Sequence, residues 1–167
     1  MKFTVLTTAL LATFLPAAEA DFDIFKVDHK KGGFVLESWQ IWDRNQPNTC
    51  SSVFDREFFP DTYDASGSKT GVRCRGACGF LGPTRDITQL EMNFRHKAPV
   101  YHWTIYKDRN YGMYGLDGKK YGDCYVTTGN DYDCKRKINL GLQSESVHGY
   151  RKFHCKTSFT AGKILGL

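Results

Sequence analysis

Histidine and glutamate side chains are the first candidates for chemistry in this sequence, because they can exchange protons near neutral pH. His102 and His154 lie in segments with aromatic neighbours, and Glu91 precedes His102 by eleven residues. An enzyme that cleaves RNA needs such an acid and a base, with a cation to hold the phosphate. Arg95 and Lys156 are the candidate cations. The spacing of these residues fits no catalytic motif, and a lone histidine on a strand is more often structural.

Motifs of the common enzyme classes are absent from the sequence. It contains no Gly-x-Ser-x-Gly elbow, no His-Glu-x-x-His pair and neither of the glycine-rich phosphate-binding patterns. Cys74 and Cys78 have no second close pair to complete a zinc site. We therefore predict no metal site and no cofactor.

Three tyrosines form a first candidate binding site. Tyr111, Tyr114 and Tyr121 alternate with glycines around an Asp117-Gly118 step, which is a strong signal for a tight hairpin turn. Exposed at such a turn, the rings would stack on sugars or bases. In the alternative interpretation they pack across the hairpin and cover glycines that have no side chain.

A basic run forms a second candidate binding site. Residues 21–94 carry nine basic and eleven acidic side chains, a net charge of −2, whereas residues 95–167 carry thirteen and six, a net of +7. Lys135, Arg136 and Lys137 are the densest cluster. They would suit an anionic polymer such as nucleic acid or polysaccharide, or an acidic lipid surface. No nucleic-acid-binding motif accompanies them, and a solvated surface explains them equally well.

The six cysteines predict three disulfides, because their number is even and the chain begins like a secreted protein. They are Cys50, Cys74, Cys78, Cys124, Cys134 and Cys155. Fifteen pairings are open to six cysteines. The turn-like residues between Cys124 and Cys134 make a bridge between these two one of the pairings to consider.

The first twenty residues predict a cleaved signal peptide. Lys2 precedes an uncharged apolar run at residues 5–15, and Ala18, Glu19 and Ala20 form a small-x-small cleavage pattern. No later stretch approaches the length of a transmembrane helix. The sequence therefore predicts a protein secreted to the extracellular space, with residues 21–167 as one β-rich domain.

Alternating apolar and polar residues predict the strands of this domain. Residues 34–42 read as a strand with Val35, Trp39 and Ile41 buried, and residues 150–159 as another with Phe153 and Cys155 on one side. Residues 124–128 add a further candidate.

Residues 90–94 and 101–105 predict a hairpin. In the alternative, Asp86 and Gln89 form a capping box that opens a short helix toward Phe94. Five to seven short strands with few helical signals favour a mainly β fold. We predict a single disulfide-stabilised β-sandwich or barrel with at most one or two short helices.

The predicted signal peptide, the cysteines, the many tyrosines and glycines and the lack of a catalytic signature resemble the small secreted cysteine-rich proteins of filamentous fungi. Many of those act as effectors during host colonisation. The resemblance is one of type, so no functional residue is carried over. It implies a protein that acts outside the producing cell, or in a host cell after uptake, by binding a host or microbial target.

Three functions are therefore open. The first is a secreted non-enzymatic effector or virulence-type protein that binds a host or microbial protein or an anionic polymer. The alternatives are a ribonuclease-like protein and a basic antimicrobial or toxin-like protein that acts on membranes.

Overall fold

Short alternating segments form an antiparallel sheet in the computed structural model, which describes residues 20–44, 46–47, 49–94, 101–138 and 142–166. The predicted signal peptide lies outside these residues, apart from Ala20 at the start of the first strand. The strands are β1 (Ala20–Lys31), β2 (Phe34–Asp43), β3 (Phe59–Pro60), β4 (Gly71–Gly76), β5 (Ile87–Asn93), β6 (His102–Tyr106), β7 (Gly112–Gly115), β8 (Lys120–Val126), β9 (Tyr132–Ile138) and β10 (Gln143–Thr157). Two short helices accompany them, α1 (Cys50–Asp55) and α2 (Ala161–Leu165).

The sheet curls into a nearly closed barrel. Its strands follow the order β3-β2-β1-β10-β8-β7-β6-β5-β4, and β9 pairs separately with β10. The two ends of this path meet, because Asp61, just after β3, forms a bridge with Val72 of β4. Closing a sheet in this way removes most of its exposed edges. The predicted mainly β, disulfide-stabilised fold is confirmed, with more strands than the five to seven expected.

Apolar side chains pack on both sides of the sheet at β1. Phe22 and Ile24 belong to the large cluster inside the barrel, together with Trp39 and Ile41 of β2. On the opposite side, a smaller cluster that includes residues of β1 packs beneath helix α1.

Val35 is exposed, although the sequence predicted that it is buried. Trp39 and Ile41 are fully buried as predicted, but Val35 is 57% exposed. The first part of β2 extends beyond the barrel as a hairpin with β1, so the described residues provide no core there.

Two predicted hairpins are confirmed. Strands β5 and β6 pair with Leu90 opposite Ile105, and β7 and β8 flank the Asp117-Gly118 turn. The capping-box alternative is wrong, because Asp86 ends a 3-10 turn and β5 begins at the next residue. A two-residue period on the apolar side chains outweighed the local capping signal.

All six cysteines form disulfides, as predicted, but the bridge between Cys124 and Cys134 is wrong. The pairs are Cys50–Cys134, Cys74–Cys78 and Cys124–Cys155. Strands β8 and β9 do not pair with each other. Both pair with β10, one after the other, so Cys124 lies opposite Cys155 while Cys134 is available to helix α1.

A buried lysine holds the loop that follows β4 at one end of the barrel. Lys152 Nζ donates hydrogen bonds to the carbonyls of Gly79, Phe80 and Gly82 at 3.1, 2.7 and 2.9 Å. The Phe80 ring lies 5.5 Å from Lys26 Nζ and 5.7 Å from the Tyr150 ring. Burial lowers the pKa of Lys152. The ammonium thus fixes three backbone carbonyls that would otherwise require water.

We expect Lys152→Met to loosen this loop without unfolding the barrel. The substitution keeps the apolar stem but removes three bonds to a charged group, each worth about 1.5–3 kcal/mol. Amide hydrogen exchange of residues 79–82 should accelerate roughly tenfold or more. Lys156→Met, at an exposed position on the same strand, is the matched control. Equal exchange in the two variants would show that the loop is held by other contacts.

Candidate functional site

The outer side of strands β4 to β7 carries arginine, tyrosine, histidine and glutamate side chains side by side. Leu90, Met92 and Trp103 point into the core, so their neighbours on β5 and β6 point outward. The strand register places Arg75, Gln89 and Tyr106 in one row across β4, β5 and β6. The next row contains Arg73, Glu91 and Thr104. We call this surface the outer face; it comprises Arg73, Arg75, Gln89, Glu91, His102, Thr104, Tyr106, Arg109 and Tyr114.

Two of the predicted catalytic candidates meet on the outer face. His102 Nε2 and Glu91 Oε1 are 2.9 Å apart, and both side chains are buried. Glu91 Oε2 accepts a 2.7 Å hydrogen bond from Arg73 Nε. Each oxygen of the carboxylate therefore has a partner on a neighbouring strand, and charge-assisted bonds of this kind are the strong ones in proteins.

Two exposed arginines and two half-buried tyrosines form the accessible part of the outer face. The Arg109 guanidinium lies over the rings of Tyr106 and Tyr114, with its Cζ 4.8 and 5.0 Å from the ring centroids. A cleft of about 680 Å³ beside them is lined in part by Arg75 and Gln89. Among the residues that the structure describes, Arg75 and Arg109 have no carboxylate partner. Their charges are therefore available to an anion.

The third catalytic candidate, His154, lies elsewhere. Its Nδ1 is 2.8 Å from Asp23 Oδ1, and Arg151 contacts the other oxygen of Asp23 at 3.3 Å. Strands β8 and β7 separate β10 from β6, so His154 and His102 belong to different sites. Lys156 is exposed beyond His154, and Arg95 lies outside the described residues.

All three predicted ligand-binding tyrosines make packing contacts within the protein. The Tyr111 hydroxyl donates to the Arg85 carbonyl at 2.6 Å, and its ring centroid lies 5.5 Å from that of Phe153. Burial and the nearby Asp86 charge raise the pKa of Tyr111.

Tyr121 covers a glycine across the hairpin. A Cβ at Gly115 would come within 2.1 Å of the Tyr121 hydroxyl, so only glycine fits beneath the ring. The hydroxyl donates to Asp117, and burial together with this bond raises the pKa of Tyr121 to about 12. These contacts are those of the packing alternative. Tyr114 lies on the outer face and also covers a glycine, because a Cβ at Gly112 would come within 2.8 Å of its Cε2.

The predicted basic run lies far from the outer face, on the short strand β9. Lys135, Arg136 and Lys137 are all exposed. Arg136 Nε donates to Glu145 Oε2 at 2.6 Å, and His29 Nε2 is 2.8 Å from Glu145 Oε1. Burial raises the pKa of Glu145, but the bonds from His29 and Arg136 outweigh it and lower the pKa.

The same trio of histidine, carboxylate and arginine thus occurs three times. Its members are His102, Glu91 and Arg73; His29, Glu145 and Arg136; and His154, Asp23 and Arg151. Each trio links neighbouring strands on the outside of the barrel. Repetition at three separate places indicates a common role in holding strands together, and it weakens a catalytic interpretation of any one of them.

The sequence did not identify six of the nine outer-face residues as site candidates: Arg73, Arg75, Gln89, Thr104, Tyr106 and Arg109. A weak signal was present, because Arg73 and Arg75 are two positions apart and so share one face of any strand that contains them. Their segment carries too few apolar residues to stand out as a strand by itself.

Comparison with protein-family models, with curated proteins and with solved structures finds no match to this chain. No helix within the described ranges has the length and apolar character needed to cross a bilayer. Within the same ranges, no three His, Cys, Asp or Glu side chains are arranged to hold a metal ion.

Proposed function

We propose that the protein is a secreted, non-enzymatic protein of the effector type, which acts in or on a host by binding an anionic polymer at the outer face. The polymer that fits this surface best is single-stranded RNA. The observation that carries the proposal is the Arg109 guanidinium over the rings of Tyr106 and Tyr114. In the adjoining cleft, which Asp108 also lines, Arg75 has no ion-pair partner within the described part of the chain.

The chemistry of the surface supports this choice. Aromatic rings and arginines that reach solvent on a sheet face stack bases and hold the phosphates between them. Gln89, half-buried in the same row as Arg75 and Tyr106, adds a neutral hydrogen-bonding group. Arginine also offers planar forks of N–H donors that match phosphate oxygens.

Substitution of both unpaired arginines tests the proposal. We expect Arg75→Gln with Arg109→Gln to weaken binding of a fluorescently labelled single-stranded RNA about tenfold, because two phosphate contacts are lost. The slope of log K against log salt concentration should become shallower by about 1.4. Arg44→Gln with Lys69→Gln removes the same charge at exposed positions elsewhere. Equal weakening by both pairs, or absence of binding by the unmodified protein, would contradict the proposal.

Cleavage of RNA is a second candidate, favoured by the contact between His102 and Glu91 beside Arg73. A base would remove the proton of the ribose 2′-hydroxyl, whose oxygen then attacks phosphorus, while an acid protonates the departing 5′-oxygen. Two observations weigh against it: His102 is only 6% exposed, and its fellow candidate His154 lies on a distant strand.

The two candidates differ in the fate of the bound RNA. Under the binding proposal the RNA stays intact on a denaturing gel after long incubation. Cleavage that disappears in both His102→Ala and Glu91→Gln, while the variants keep their melting temperature, would establish the enzyme instead.

A further inference from the structure

The tip of the β1–β2 hairpin carries three consecutive exposed apolar side chains. Phe34 is 75% exposed, and Val35 and Leu36 are each 57% exposed. Successive strand residues point to opposite faces, so a strand at the barrel wall would bury at least one of them. Both faces are open here, because the hairpin extends past the barrel. Large apolar side chains grouped on a surface mark a contact site more often than single ones do.

The start of β10 lies beside this hairpin and adds a fourth exposed apolar side chain. Leu142, the residue before β10, is 87% exposed. The Gln143 side chain lies 3.6 Å from the position that a Cβ at Gly32 would take, which places the start of β10 next to the β1–β2 turn. Gly32 and Gly33 both have positive φ, as a two-residue hairpin turn requires.

Five cations lie on strands β1 and β9, to one side of the apolar residues of β2. Lys30 and Lys31 lie on β1 directly opposite Val35 and Phe34, and the run Lys135, Arg136 and Lys137 lies on β9. We call these five cations, together with Phe34, Val35, Leu36 and Leu142, the basic tip.

The basic tip stays positive, because its five cations have three carboxylate partners among the described residues: Glu145, Asp133 and Asp28, the last 3.0 Å from Lys30. Glu145 serves both Lys31 and Arg136 from a buried position, so the cations are exposed and the carboxylate is not. In the described part of the chain Lys137 has no ion pair, and Lys135 has only the exposed Asp133 at 3.3 Å. The exposed surface is therefore apolar at the end of the hairpin and carries an excess of cations beside it, on β1 and β9.

We propose that the basic tip docks the protein onto anionic lipid bilayers, with the apolar side chains entering the headgroup region. A projecting convex tip has no concave wall to receive a small molecule. Nucleic acid would satisfy the cations but offers no hydrocarbon to aliphatic side chains. An anionic bilayer provides both, since basic residues are drawn to its surface charge and apolar ones to its interior.

This inference concerns a different surface from the outer face and does not depend on RNA binding.

The experiment is co-sedimentation of the full protein with vesicles of phosphatidylcholine alone or with phosphatidylserine added. We expect binding only to the vesicles that contain phosphatidylserine. Lys135→Gln, Arg136→Gln and Lys137→Gln together should weaken it about a hundredfold, from the surface attraction of three cations. Phe34→Ser with Leu36→Ser should weaken it tenfold or more.

Two control variants make the test specific. Lys119→Gln, Lys120→Gln and Lys163→Gln together remove three charges elsewhere, and Leu81→Ser with Leu116→Ser removes two exposed apolar residues elsewhere. Both should bind as the unmodified protein does. The inference is overturned if phosphatidylserine vesicles are not bound, if the controls lose as much binding as the tip variants, or if the tip variants lose heparin binding while vesicle binding is unchanged.

Discussion

Replacing Cys50 and Cys134 together by alanine is expected to lower the free energy of unfolding by about 4–5 kcal/mol. Their bridge spans 84 residues of sequence, so it removes a large amount of chain entropy from the unfolded state. A loss of this size approaches the whole stability of many small domains.

The same bridge also holds a layer of the native structure in place. It attaches helix α1 to strand β9 over the smaller apolar cluster. Gln40 is a second attachment, since its Nε2 donates to the carbonyls of Val53 and Arg56 at 3.1 Å each. We therefore expect the variant, where it remains folded, to lose contacts of α1 first.

The matched comparison is the pair Cys74 and Cys78, which lie only four residues apart. Replacing both by alanine should cost about 2 kcal/mol in the same chain-entropy treatment. Urea unfolding followed by circular dichroism, extrapolated linearly to water, measures both losses. If the two double variants lose equal stability, loop length does not govern the contribution of these bridges.

Asp61→Ala is expected to destabilise the protein by about 3–5 kcal/mol, because it removes the main counterion of a fully buried lysine. Lys26 is 0% exposed inside the barrel, where Asp61 pairs with it and also accepts a hydrogen bond from Trp39 Nε1. Glu37 stays as a partner at 3.0 Å, but it is half exposed and leaves Trp39 unsatisfied. Asp61 also joins the two ends of the sheet through its bridge with Val72.

A double substitution separates these contributions. Adding Lys26→Met to Asp61→Ala removes the buried positive charge that has lost its main counterion. We expect the double variant to recover about half of the lost stability. Asp133→Ala, which breaks the exposed pair with Lys135, is the control and should cost about 0–1 kcal/mol. Without any recovery in the double variant, the loss would come from Trp39 and from barrel closure, and not from the buried charge.

Patterns within single segments predicted much of the fold. The two-residue period of residues 90–94 and 101–105 identified a hairpin, and the Asp117-Gly118 step located a turn. Such signals succeed because they depend on the conformation of a few neighbouring residues. The same reasoning wrongly predicted that Val35 is buried, because its burial depends on whether a distant part of the chain covers the hairpin.

The sequence did not predict which distant segments of the chain contact one another. Cys134 could not be assigned to Cys50 without knowing that β8 and β9 follow one another along β10. Glu91 and His102 were both singled out, but their contact depends on the register of β5 against β6, and the third member, Arg73, comes from a strand with a weak pattern.

By itself the sequence determined the β class, the participation of every cysteine in a disulfide, and the excess of positive charge in its second half. The tertiary structure alone decided which charges are used internally and which face solvent. Arg136 and Arg73 form ion pairs with buried glutamates, whereas Arg75, Arg109 and Lys137 have no carboxylate partner among the residues that the structure describes. The physical reason is that the order of apolar and polar residues within a strand determines which of its faces is buried. Which charged side chains then lie next to one another depends on strand register and on closure of the whole barrel.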